Sequence, residues 1–331
     1  MQPISLERLD QILSRAGRVR AAVIGDLMLD VYLSGAVSRI SPEAPVPVVH
    51  VQEEQLALGG AANVAANVVR LGAACDVIGF VGRDVGGQAI RATLASLDGG
   101  AVRPMLVERD NRPTTTKTRV MARKQQVVRF DREHDDDLPA DCADELCERI
   151  RESLADADVV ILEDYNKGVL TPPVIRTALD AAAARGIPVV VDPKFRNIFA
   201  YRGATLFKPN AFEITAALGT PLRAEDDDWL EEARQRFGCD HLLVTLGEDG
   251  MALRSQDGET LRVPAVAREV FDVSGAGDTV IACIAVAIAA GANIREAAVI
   301  ANYAAGIEVA KPGVATVSPD ELREAILARR S

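Results

Sequence analysis

Four short runs dense in aliphatic residues, VVILEDY, IPVVVDP, TLFKPN and HLLVTLG, recur beyond residue 140, separated by stretches of helical pattern such as 172–185 and 211–218. Strands alternating with helices are the signature of βαβ units, because parallel neighbours need a crossover long enough to bring the chain back, usually a helix. The runs do not alternate apolar with polar residues, as a half-exposed strand would, so they belong to a sheet covered on both faces. The fold class is therefore α/β, with an open and mainly parallel sheet. Composition agrees: 48% of residues are hydrophobic but only 4% aromatic, which suits aliphatic packing of helices on a sheet.

The first half of the chain is less regular. A helix is expected over 6–15, a strand at AAVIG, a helix over 61–71, a strand at CDVIGFVG and a helix over 87–97. Two segments break the alternation. Residues 31–57 contain SRISPEAPVPVVHV, whose prolines suit an edge strand and loops. Residues 102–133 contain TTTKTRVMA and QQVVRF, rich in Thr and Val with basic residues interleaved. Both are read as parts of a small β lid inserted into one domain spanning 1–331. The formal net charge of -11 disfavours nucleic acid as a partner. The five cysteines form no CxxC pair and are read as buried free thiols of a reducing compartment. The polar start MQPISLERLD has no signal-peptide core, and the longest apolar run, 280–290, falls short of the ~20 residues that span a bilayer. A cytoplasmic protein without membrane contact is expected.

The motif with most chemistry is DVSGAGDT, residues 272–279, which opens directly into the apolar helix VIACIAVAIAA. A helix start presents backbone N–H groups without intrahelical partners and the positive end of the dipole. Gly275, Ala276 and Gly277 thus form a candidate anion hole for a phosphoryl group, and Asp278 is placed to take a proton from an attacking hydroxyl. The plainer alternative is that Asp278 only caps the helix. In LGGAANVAANVVRLG, Gly59 and Gly60 allow close approach of a ligand and Asn63 offers hydrogen bonds to hydroxyls; a helix tightly packed through its alanines is the alternative. In KPNAFE, Asn210 and Glu213 lie one turn apart and suit either a water-coordinated Mg²⁺ or a capping box. Asp30, Asp164, Lys167, Asp192 and Lys194 follow strands, at the edge where open α/β sheets bind ligands. No P-loop, GxGxxG, HExxH or GxSxG motif occurs.

These residues resemble the ribokinase-like, phosphofructokinase-B type carbohydrate kinases. LGGAANVAANVVRLGAACDVIGFVG is similar to the N-terminal signature of that family and DVSGAGDTVIACIAVAIAAG to its C-terminal one, with Ser274 where most members have Thr. KPNAFE resembles the family's Asn-x-x-Glu motif, and VTLGEDGM its nucleotide-side strand and turn. Within the family, GDLMLDVYLSGAVSRISPEAPVPVVHV, RKQQVVRFD, EDYNKG, DPK and TVSP are similar to heptose 7-phosphate kinases, in the form that stands alone without a fused adenylyltransferase.

The resemblance implies a three-layer sandwich with a β lid. It implies ATP-dependent transfer to the anomeric hydroxyl of D-glycero-β-D-manno-heptose 7-phosphate, toward the heptose of lipopolysaccharide. Asp278 would be the base and residues 275–277 the anion hole. Asn210, Glu213, Thr245, Gly247 and Asn302 would serve ATP and Mg²⁺. Asp30, Gly59, Gly60, Asn63, Asp164, Lys167 and Lys194 would face the sugar. Arg119 and Arg123 of the lid would hold its phosphate, although a charge-protected edge strand accounts for the same pattern. A monovalent cation near Asp272 and Gly313, and a homodimer formed through the lid, are also implied. The alternatives are a kinase for another sugar or sugar phosphate, such as a fructose type, and a non-catalytic sugar or nucleotide sensor on the same fold.

Overall fold

The computed structural model describes residues 4–97, 100–122, 125–267 and 270–328. In chain order the strands are β1 (Arg20–Gly25), β2 (Leu27–Ile40), β3 (Pro47–Gly60), β4 (Ala74–Gly82), β5 (Val102–Arg109), β6 (Thr115–Ala122), β7 (Gln125–Arg132), β8 (Val159–Glu163), β9 (Val189–Asp192), β10 (Leu206–Phe207), β11 (His241–Thr245), β12 (Met251–Arg254) and β13 (Thr260–Val263). Nine of them form one sheet in the order β13-β12-β11-β10-β9-β8-β1-β4-β5, antiparallel only at the β11–β12–β13 edge. The helices are α1 (Leu6–Ala16), α2 (Ala61–Arg70), α3 (Val85–Ser96), α4 (Ala140–Ser153), α5 (Pro172–Arg185), α6 (Ala211–Leu218), α7 (Asp227–Phe237), α8 (Ala276–Ala289), α9 (Ile294–Glu308) and α10 (Pro319–Ala328).

The lack of alternation in the strands has a direct cause. Successive side chains point to opposite faces. Val23, Val77, Ile161 and Val190 enter one core, with α1, α2, α3, α8, α9 and α10. Ala22, Ile24, Ile78, Leu162 and Val191 enter the other, with α4 to α7. Both faces are covered, so both sets of positions must be apolar, and each fully buried Ile or Leu is worth about 1.5–3 kcal/mol. The helices start and stop on local signals. Thr171 precedes two prolines at the start of α5, and Gly186 ends it in the left-handed region at φ 66.

The remaining strands form a four-stranded sheet, β3-β2-β6-β7. Two boundaries differ from the sequence expectation. Residues 31–57 are the greater part of a long antiparallel hairpin, β2 and β3, in which Ile40 pairs with Pro47; β3 is an edge strand as expected, and β2 is an inner one. Pro42 and Pro45 fall in its turn and Pro47 opens β3, the positions where a missing N–H breaks no ladder. The segment 102–133 is divided: β5 is the outer strand of the large sheet, parallel to β4, and only from Thr115 does the chain join the small sheet. Pro104 is tolerated in β5 because that strand lies at the edge. Ile40, Val51, Val128 and Phe130 are exposed on the small sheet. All five cysteines are free and buried. Among the described residues no helix is long and apolar enough to cross a membrane.

Candidate active site

β1 lies between β4 and β8, so the winding of the sheet reverses there, and such a reversal opens a crevice beyond the carboxyl ends of the strands. Those ends deliver polar residues in a row. Asp26 follows β1, Glu163 ends β8 ahead of Asp164 and Tyr165, Asp192 ends β9, Lys208 follows β10 and Thr245 ends β11. The N-terminus of α8 lies over them. Gly275, the residue before the helix, has φ 96, a conformation that strains any residue with a Cβ, and no side chain caps it. The first bond of the helix ladder runs from Thr279 N–H to the Gly275 carbonyl, at 2.9 Å, so the N–H groups of Gly277 and Asp278 precede the ladder.

Asp278 is buried, and its two oxygens are held from different elements. Asn63 Nδ2, in the first turn of α2, donates to Oδ2 at 2.7 Å, and the Tyr165 hydroxyl donates to Oδ1 at 2.9 Å. Asn63 is itself oriented: Asn67 Nδ2 donates to its carbonyl at 3.0 Å, and the Thr279 hydroxyl donates to Asn67 Oδ1 at 3.2 Å. Burial pushes the Asp278 carboxyl up to about 6, against the two hydrogen bonds, which favour its ionised form. It is therefore mostly ionised near neutrality yet more basic than an exposed aspartate, as suits a proton acceptor.

Two further carboxylates crowd the same floor. Oxygens of Glu163, Asp192 and Asp278 lie within 4.8 Å of one another. Lys208, fully buried, bonds to Asp192 Oδ2 at 2.7 Å, and Lys194 pairs with Glu213. Burial depresses the Lys208 ammonium, but Asp192 more than offsets this and leaves it raised.

On the far side of α8 a cavity of about 790 Å³ runs from Ala276 and Gly277 past Asn210, Thr245, Gly247 and Asn302. Its walls are apolar, including Phe212, Val266, Val273 and Val280. Asn302 is fixed by its Nδ2, which donates to the Pro264 carbonyl at 2.9 Å. Asn210 and Glu213 form the capping box of α6: the Asn210 side chain accepts from the Glu213 N–H at 2.8 Å and Glu213 Oε2 from the Asn210 N–H at 2.9 Å. With Oε1 against Lys194, both Glu213 oxygens are engaged, which fits a contact to a hydrated Mg²⁺ through water and not a direct bond.

The pfkB family carbohydrate kinase model matches residues 19–321. The chain belongs to the pfkB family of carbohydrate kinases. Its relatives include the bifunctional protein HldE of Azorhizobium caulinodans, 50% identical over 309 residues, and that of Trichlorobacter lovleyi, 45% identical over 322 residues. These alignments take in 92% and 96% of this chain but 64% and 65% of the relatives, so it spans about two thirds of their length. The fold is ribokinase-like. It is similar to Arabidopsis thaliana ribokinase, solved with ribose and ATP (TM-score 0.69, 21% identity, 94% of this chain and 97% of that one). It is also similar to Escherichia coli phosphofructokinase-2, solved with potassium (TM-score 0.76, 20% identity, 95% and 99%).

In this pfkB-family kinase the second pole of the site is the small sheet. Gly59 and Gly60 end β3 where Asp30 and Tyr165 come close: a Cβ on Gly59 would stand 2.6 Å from Asp30 Oδ2. Arg119 bonds to Asp30 and lies over the Tyr32 ring. Lys117, on the same face of β6, lies over the Tyr165 ring at 5.7 Å and Lys194 over that ring at 5.1 Å. Among the described residues Lys117 forms no ion pair, and burial lowers its ammonium despite Asp30 and Glu133 nearby. Lys167 is tied to Glu133 at 2.7 Å. Arg123 lies outside the described residues. Asp164, expected to face the sugar, points inward instead: its oxygens accept the Asn166 N–H and the Tyr201 hydroxyl, at 2.8 and 2.7 Å. Neighbouring strand-end residues face opposite ways, so Glu163 turns toward Asp192 and Asp278 while Asp164 turns toward Tyr201, and both are buried.

Three contributors escaped the sequence reading. Tyr165 and Glu163 lie in the run VVILEDY, in which only Asp164 was singled out. Asp26 is the hinge of the pocket, its carboxylate accepting the N–H groups of Tyr165, Lys167 and Val169 at 2.8, 2.9 and 3.1 Å. The run GD directly after a buried strand was its one available signal.

Proposed function

We propose that this chain transfers the γ-phosphoryl group of ATP to the anomeric hydroxyl of D-glycero-β-D-manno-heptose 7-phosphate. The observation that carries the reading is Asp278, a buried carboxylate aimed by Asn63 and Tyr165 at the start of α8, with an apolar cavity lined by that helix start and with Lys117 and Lys194 over the Tyr165 ring. ATP fits the cavity: apolar walls for a base, Asn302 and Thr245 toward its middle, and the α8 N-terminus at the phosphate end. The sugar fits between Asp30, the glycines of β3 and Lys117. Asp278 removes the proton of the attacking hydroxyl, whose oxygen bonds to the γ-phosphorus as ADP leaves. The N–H groups of Gly277 and Asp278 take the charge that develops on the phosphoryl oxygens. Asn210 and Glu213 would hold Mg²⁺ through water, and the ion would supply charge neutralisation at the phosphates. The preference for a phosphorylated heptose rests on the sequence similarity and on the cations of β6, with Lys117 the one free of an ion pair.

Two finer points belong to the same reading. Glu308 is buried beside Gly275, and its carboxyl is pushed up to about 8 by burial, with Asp272 adding to it. That acidic corner suits a monovalent cation. The exposed apolar side chains Ile40, Val51 and Phe130 of the small sheet suit a second copy of the chain. A cytoplasmic setting supplies ATP and keeps thiols reduced. The deciding experiment incubates the protein with ATP, Mg²⁺ and a panel of free and phosphorylated sugars, and weighs the products. A bisphosphate formed only from the heptose phosphate is expected. Turnover of fructose or its phosphate in preference would replace the substrate assignment, and no turnover of any sugar would favour a sensor.

A further inference from the structure

We infer that Glu163 is a positioning residue for phosphoryl transfer: it stands as a neutral carboxylic acid beside Asp192 and Asp278 and keeps a third negative charge off the floor of the site. The inference rests on the kinase reading for its consequence, but on geometry for its premise. Glu163 ends β8 with no exposed surface, and among the described residues neither of its carboxylate oxygens has a hydrogen-bond partner. The cations that act on it, Lys208 and Lys194, bond to other carboxylates and not to it among the described residues. From the segment after β10, Lys208 is bonded to Asp192; from the segment after β9, Lys194 is paired with Glu213; Asn63 and Tyr165 serve Asp278. On its own segment Asp164 is held by Tyr201 and the Asn166 N–H, and from β1 the carboxylate of Asp26 is filled by backbone donors.

An ionised carboxylate buried without a donor is among the costliest groups in a protein. A neutral carboxyl needs one acceptor for its O–H, and oxygens of Asp192 and Asp278, within 4.8 Å, stand nearby. Burial, then Asp192 and Asp278, push the Glu163 carboxyl well above the usual range, against Lys208 and Lys194. The proton matters because the incoming phosphoryl group is itself anionic. Loss of the Glu163 proton would set another charge beside Asp278, directly beneath the group being transferred. At such a separation, in surroundings of intermediate polarity, the repulsion corresponds to on the order of a hundredfold in rate. The kinase therefore loses activity on the alkaline side as Glu163 ionises.

The test compares the whole chain with Glu163→Gln, which keeps the shape of the neutral acid and cannot ionise. The variant is expected to turn over within about threefold of the parent near neutrality and to lose the alkaline fall of the pH–rate profile. Independently of activity, the infrared difference between parent and variant near neutrality is expected to contain the carbonyl stretch of a protonated carboxylic acid. A difference spectrum with only carboxylate bands overturns the inference, and so does an unchanged alkaline limb in a variant that is active. A hundredfold loss near neutrality also overturns it, because it assigns the working form to the ionised group. Should neither protein phosphorylate any sugar, the kinase reading fails while the infrared result still decides the state of Glu163.

Discussion

Replacing Asp278 by Asn should disable the protein and stabilise it. The amide can keep both contacts: its oxygen accepts from Asn63, and its nitrogen donates to the Tyr165 oxygen, which at present donates to Asp278. What disappears is the cost of burying a charge. The carboxyl is raised from 3.8 to about 6 in the folded protein, roughly two units, or about 3 kcal/mol. The sign follows from linkage. A carboxyl harder to ionise when folded weakens the fold wherever the unfolded chain would ionise it, so the penalty is absent below about pH 4 and complete above about pH 6. Urea unfolding of parent and variant across this range should therefore coincide at the acid end and separate toward neutrality, the variant leading by up to about 3 kcal/mol. The same substitution should lower kcat by about 10²–10⁴-fold with little change in ATP affinity. A variant equally or less stable at neutral pH would refute the strained-base account, and one with near-normal turnover would reduce Asp278 to a helix cap.

Tyr165→Phe removes a hydrogen bond that favours the Asp278 carboxylate. The acid limb of the kcat profile should move to higher pH, and an unmoved limb would show that the hydroxyl has no hold on the base. Lys208→Met strands Asp192 in a buried site and should cost about 3–5 kcal/mol in denaturant unfolding; a loss below about 1 kcal/mol would mean that water reaches the pair. Lys117→Met should reduce kcat/KM for a phosphorylated sugar by roughly 10- to 150-fold and leave the KM for ATP alone, as expected for one charged hydrogen bond. An intact preference for phosphorylated over free sugar would move the phosphate contact to Lys167 or Lys194.

The parts of this molecule that were legible in advance are those whose cause is local. The bounds of α6 follow from a capping box four residues long and Gly219 at its end, and those of α5 from a proline pair and a terminal glycine. The Gly-Ala-Gly turn announced the start of α8 because nothing but a close approach or a left-handed residue calls for it there. What pattern could not supply was the identity of neighbours far apart in sequence. Tyr165 meets Asp278 across 113 positions, and Asn63 meets it across 215. Asn63 was noticed for its glycine-rich setting, whereas Tyr165 had no such marker. The inward turn of Asp164 depends on which of two adjacent residues the end of β8 turns toward Asp192 and Asp278, and composition does not reveal that parity. β5 was assigned to the wrong sheet because a proline and several charges mark an edge strand equally well in either.

The hairpin of β2 and β3 leaves the large sheet at Asp26 and returns at Ala61, and these two points are joined: the Ala61 N–H donates to the Asp26 carbonyl at 3.0 Å. A segment whose ends meet can change in length or sequence without pulling on the scaffold that carries it. In design terms the hairpin is a cassette with a closed socket. Its tip and apolar surface can be exchanged while Asp26, α2 and the nucleotide cavity stay in register. Its base differs, because Asp30 and Gly59 stand next to the pocket. On the proposed reading, selectivity for the acceptor can thus be rewritten within a few residues of the socket, and the half proposed to handle phosphate need not change with it.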